Sequence, residues 1–146
     1  MVRKGANQLL RCAAAAACLA LSVSGSSAMA EVVVVVSSHS TVTALSKSQV
    51  ADLFLGKTRR YPNGAIAVPI DQAEGSAARD EFYMDVASRT PAQIKSHWSK
   101  IIFTGRGQPP PAVSDDGELK KRIAANPAAI GYIDRKFLDA SVREIR

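Results

Sequence analysis

The stretch Asp71-Gln72-Ala73-Glu74-Gly75-Ser76-Ala77-Ala78-Arg79 follows an apolar run and leads into helical spacing. The first N–H groups of a helix have no intrahelical partner, and the helix dipole puts about half a positive charge there. Gly75, Ser76 and Ala77 place nothing bulky over those donors, and Ser76 adds a hydroxyl. The chemistry on offer is noncovalent. The amides of Ser76 and Ala77 can seat an oxyanion, as many helix termini do, and Arg79 can reach back from one turn inside to supply charge. The same residues also have an architectural reading, in which Ser76 caps the helix and Gly75 serves a tight turn.

Two other stretches offer donors. Arg106 lies between Gly105 and Gly107, where successive amides form either an anion nest or a plain surface turn. Ser37-Ser38-His39-Ser40-Thr41 follows the first apolar run, where open α/β sheets often place ligands, so the Ser38 hydroxyl could help close a site. Covalent chemistry finds no matching motif. After residue 30 there is no Cys, no G-x-S-x-G, no P-loop and no HExxH. His39 and His97 stand alone in sequence, and Asp115 and Asp116 open a helix, where carboxylates serve its dipole. The expectation is a binding protein rather than an enzyme, with no metal and no cofactor.

Residues 1–30 read as an export leader. Arg3, Lys4 and Arg11 make a positive start, Ala13–Val23 is apolar, and Ala28-Met29-Ala30 is a cleavage site. The apolar run falls short of the ~20 residues that span a bilayer. Cleavage after Ala30 would leave one domain, 31–146, with no membrane insertion. Cys12 and Cys18 leave with the leader, so the remainder enters an oxidising compartment without a disulfide and relies on its core. The leader holds three of the 19 Lys and Arg and none of the 13 Asp and Glu, which leaves a net charge of +3. That mild balance suits small anions. The densest cationic run is Lys120-Lys121-Arg122 and aromatics are 5% of the chain, so nucleic acid has little to hold.

These groups need a scaffold. Val32–Val36 suits a strand buried on both faces, as in a parallel sheet between helices. Ser46 and Gln49 form a capping box for a helix with Val50, Leu53 and Phe54 on one face, ended by Gly56. Ala65–Ile70 reads as a second strand and Ser76–Val86 as a second helix. Thr90-Pro91-Ala92-Gln93 starts a third, with Ile94, Trp98 and Ile101 inward. Thr104–Val113 is too rich in Gly and Pro to be regular. Ser114 reads as the cap of a fourth helix running to about Ala125, and strands follow at Ala128–Ile133 and from Ser141. Strands alternating with helices define the α/β class.

Four segments together carry a family resemblance: LSKSQVADLFLGKTRRYPNG from Leu45, AIAVPIDQAEGSAARDEF from Ala65, HWSKIIFTGRGQPP from His97 and NPAAIGYID from Asn126. Over Glu31–Arg146 the chain resembles the phosphate-type periplasmic substrate-binding proteins of ABC transporters, and most closely their short secreted members. Full-length members have two α/β lobes with the anion between them. The resemblance implies a single lobe of the type 2 periplasmic-binding-protein-like fold, with a mixed, mostly parallel sheet flanked by helices. It implies inorganic phosphate or another small oxyanion at the Gly75-Ser76-Ala77 turn, a periplasmic location and an ABC transporter permease as partner. Gln72 stands where full-length members carry an arginine, and Asp71 and Glu74 flank it; both repel a dianion, although either can accept a proton from a monoprotonated phosphate. A lone lobe also fits a binding or assembly module without a transport role, in which a homo-oligomer restores the missing wall. On the oxyanion reading, Ser76→Ala together with Arg79→Ala is expected to remove stabilisation by anions and leave the fold intact, as measured by melting with phosphate, sulfate or chloride.

Overall fold

The valine run forms β1 (Val32–Ser37), in the interior of a four-stranded sheet. The chain is described by a computed structural model over residues 30–146, so all of the expected leader except Ala30 lies outside the described residues. β1 pairs antiparallel with β5 (Ala129–Asp134) on one side and with β6 (Val142–Glu144) on the other. β2 (Val68–Pro69) lies parallel on the far side of β5. The α/β class and the mixed sheet are as expected, but the balance is antiparallel rather than mostly parallel. Consecutive valines specify two covered faces and are blind to strand direction.

Both faces are covered. Val36 joins a core built with Val50 and Phe54 of α1 (Lys47–Phe54), Phe82 of α2 (Ala77–Ala87) and Ile94 and Trp98 of α3 (Pro91–Phe103). Val33 and Val35 face Leu119 and Ile123 of α4 (Asp116–Ala125). Ser46 and Thr90 each complete a capping box with a Gln three residues on. At α4 the cap is Asp115, whose Oδ1 accepts the Glu118 N–H at 2.8 Å, rather than Ser114. The carboxylate accepts the same bond and also complements the dipole, while Ser114 is left to donate to Asp115 and Glu118.

The second strand is shorter than its apolar run. Only Val68–Pro69 pairs with β5, after which β3 (Asp71–Gln72) pairs in parallel with β4 (Ala112–Val113). β4 lies inside the stretch expected to be irregular. A proline has no N–H but keeps its carbonyl, and Pro111 uses it to accept from Asp71 N at 2.9 Å.

An aromatic cluster ties the helices to the sheet. The Phe82 ring stacks on Tyr132 with centroids 4.0 Å apart and meets Phe54 edge-on at 4.7 Å. On the opposite face of β5, Gly131 lets α4 approach: a Cβ there would lie 2.6 Å from both Ile123 Cδ1 and Leu119 Cδ2. Gly131→Ala therefore overpacks this layer. It is expected to cost about 1–3 kcal/mol, seen as a lower urea midpoint with an unchanged slope.

Candidate anion site at the start of helix α2

Where β2 ends, the chain steps off the main sheet. Ile70 N still bonds Ile130 O at 2.8 Å, but Asp71 N and Ala73 N bond Pro111 O and Val113 O. The strands part at their carboxyl ends, the place where α/β sheets open crevices. Gln72 bridges the gap. Its Nε2 donates to Asp116 Oδ1 at 3.0 Å and to the Tyr132 carbonyl at 3.4 Å, and its Oε1 accepts the Ser76 hydroxyl at 2.7 Å. Ser76 Oγ in turn accepts from Arg79 N at 3.4 Å, which makes it the N-cap of α2.

Beneath this lies Asp71, 3% exposed. An isolated buried carboxylate is strongly disfavoured, and this one is surrounded by donors. Tyr83 Oη–H donates to Oδ2 at 2.7 Å, Tyr132 Oη–H donates to Oδ1, and Gln72 N donates to Oδ1 at 2.8 Å. Arg79 Nε lies 3.4 Å from Oδ2, with its guanidinium over the Tyr83 ring. Burial, followed by the neighbouring carboxylate, pushes both tyrosine hydroxyls far above their ordinary range, so they remain donors.

Five of the sequence candidates come together here: Gln72, Gly75, Ser76, Ala77 and Arg79. Their jobs differ from those expected. Ser76 N is occupied by Ala73 O at 3.1 Å, closing a turn in which Gly75 has φ 91°, a value that favours glycine. Ser76 caps and Gln72 bridges, and Arg79 pairs with Asp71 through Nε alone, so among the described residues its Nη1 and Nη2 have no hydrogen-bond partner. The other donors are backbone. Among the described residues, the amides of Ala77 and Ala78 have no hydrogen-bond partner, and Ala77 is exposed. Carboxylates crowd the turn: Glu74, paired with Lys95 at 3.4 Å, and Asp80 in the first helical turn.

The other two candidates lie elsewhere. Ser38 is past the carboxyl end of β1, whereas α2 starts near the opposite end, where Glu81 accepts Val32 N and Ala77 shares a surface hollow with Val32 and Val34. Arg106 forms no nest. Its amide bonds Ile101 O at 3.0 Å and Gly105 N bonds Ile102 O at 3.0 Å, a Schellman closure of α3 with Gly105 at φ 67°. His97 Nε2 is 2.8 Å from Leu55 O and joins α3 to the end of α1. Tyr83, Tyr132 and Asp116, from three separate elements, complete the network. They carry no shared local signal, and Asp71 shows in sequence only as an acid after an apolar run.

No protein-family model and no curated protein matches the sequence. Solved structures do match, and this chain shares its fold with part of proteins described as phosphate ABC transporter substrate-binding proteins or receptors. A protein from Clostridium perfringens, described as a phosphate ABC transporter substrate-binding protein with bound phosphate, superposes with TM-score 0.62 at 23% identity over 79% of this chain and 44% of its own. An ABC-type phosphate transport receptor from Vibrio cholerae gives 0.62 at 17%, covering 79% and 45%. PstS from Borrelia burgdorferi gives 0.55 at 14%, covering 78% and 46%. The chain thus spans less than half the length of each. The resemblance read from the sequence motifs agrees with these structures in fold.

The network changes what substitution at the turn should do. Removing one partner of a buried ion pair costs about 3–5 kcal/mol, and removing an N-cap hydroxyl about 1 kcal/mol. The expectation that Ser76→Ala with Arg79→Ala spares the fold is therefore corrected. Arg79→Ala alone should lower stability by about 3 kcal/mol in urea without any anion present, and the double variant by more.

Proposed function

We propose that the chain is a solute-binding lobe that takes phosphate or a similar oxyanion on the Ala77 and Ala78 amides at the start of α2. The observation that carries this reading is the pair of unpartnered amides, one on exposed Ala77 and one on buried Ala78, on a turn held rigid by Ser76, Gln72 and Asp71. A rigid seat needs no ordering when the anion arrives. The neighbours' descriptions as phosphate-binding proteins support the choice of anion. In this reading the protein works in the periplasm and delivers its anion to an ABC transporter permease. Backbone donors, with the charge of Arg79 already paired to Asp71 and with Glu74 and Asp80 close by, make the seat weak and partly hydrated. A second wall, from another copy or a partner protein, would complete it.

A second reading is an assembly module built on a lobe that has lost its ligand. It is favoured by the engagement of Gln72, Ser76 and Arg79 with one another and with Asp71.

Melting with phosphate, sulfate and chloride separates the two. Binding at tenfold the Kd stabilises by about 1.4 kcal/mol, a rise of a few degrees. Phosphate, and sulfate to a lesser degree, should produce it, and chloride should not. Ala77→Pro removes one donor at the helix position that tolerates proline, and Ser76 already has the extended backbone, ψ 128°, that precedes one. This variant should melt normally and lose the anion response. An identical response in Ala77→Pro places the anion elsewhere on the chain and overturns the α2 seat, and no response to any anion in the parent favours the assembly module.

A further inference from the structure

We propose that the carboxyl-terminal tip of α3 docks on an anionic membrane surface. Phe103 is 93% exposed and Ile102 47%, side by side in the last turn of α3. The Schellman closure through Gly105 and Arg106 holds this turn fixed, so the two side chains are presented without further ordering. Lys100 lies on the same last turn, and Arg106 immediately follows the tip. Arg59, from the connection between α1 and β2, reaches the same place: its Nη2 is 3.9 Å from where a Cβ on Gly107 would lie, and Ile101 is 3.5 Å from that point. Among the described residues none of the three cations pairs with an acid.

The charge pattern is a property of the chain segments that meet here. No Asp or Glu occurs between Asp52 and Asp71 or between Asp85 and Asp115. Tertiary structure brings these two acid-free stretches together around one hollow, with Gly56 and Arg59 on one side and Trp98 and Gly107 on the other.

A protruding aromatic beside cations fits the boundary between headgroups and acyl chains. The ring enters the apolar side while Lys and Arg stay with the phosphates, and each cation near an anionic surface strengthens attachment. A protein partner would need a broad complementary patch, about 800 Å² on each side, whereas the apolar part of this tip is two side chains.

The test is sedimentation of the purified full chain with vesicles of phosphatidylglycerol and phosphatidylcholine, or of phosphatidylcholine alone. Binding should be at least tenfold stronger to the anionic vesicles and should fade in high salt. Phe103→Ala, and Lys100→Gln with Arg106→Gln, should each weaken it by roughly tenfold while melting temperatures stay the same. Undiminished binding by both variants overturns the proposal and assigns attachment to another part of the chain, the amino-terminal segment included. Absence of binding by the parent also overturns it, and leaves the tip to an acidic protein surface.

Discussion

A buried carboxylate organises this molecule. Asp71 sits at the point where the chain leaves the main sheet, and its charge can remain there only if donors from several elements converge on it. Tyr132 comes from β5, Tyr83 and Arg79 from α2, and the Gln72 amide from β3 itself. Both tyrosine donors are also packing elements: Tyr132 stacks on Phe82, and Tyr83 meets Phe82 edge-on. The requirement to satisfy one charge thus fixes where α2 begins and how it lies against the sheet. A displaced α2 would strand the carboxylate.

That arrangement explains the character of the α2 turn. The side chains that look most like ligands in the sequence are consumed in holding the turn together. What faces outward is backbone, pre-set by Gly75 and by the Ser76 cap. A site made this way is rigid but lacks a spare cation, since Arg79 answers Asp71 and Lys95 answers Glu74. It suits a chain that spans less than half of its structural neighbours, because a second wall could bring the charge that this lobe spends internally.

Much of the local structure was legible in the residues. Ser46 and Thr90 cap the helices they were expected to cap, Ser76 takes the capping role that was the alternative to anion binding, and Gly56 ends α1, because capping depends on atoms within a few positions of each other. The miss at Ser114 is of one residue, between two side chains that accept the same bond. Arg106 misled for a related reason: glycines around a cation suit a nest and a helix stop equally, and the end of α3 claimed the amides first. At the anion site the sequence picked out the turn but not its interior. Gln72, Ser76 and Arg79 read as polar groups near a helix start, and their commitments to Asp71, Asp116 and Tyr132 are invisible in sequence, since those partners lie up to 60 positions away.

By itself the sequence determined the α/β class, most of the helix ends and the bare amide at Ala77, all of which follow from propensity, periodicity and local hydrogen bonding. Tertiary structure decided the direction of β1 against β5, the pairing of β3 with β4, and the separation of Ser38 and Arg106 from the α2 turn. It also decided that the acid-free stretches meet at one end of the molecule. The physical reason is range. Capping and patterning act over a turn or two, while satisfying a buried charge and pairing a strand join residues whose neighbourhood is set only when the whole chain closes.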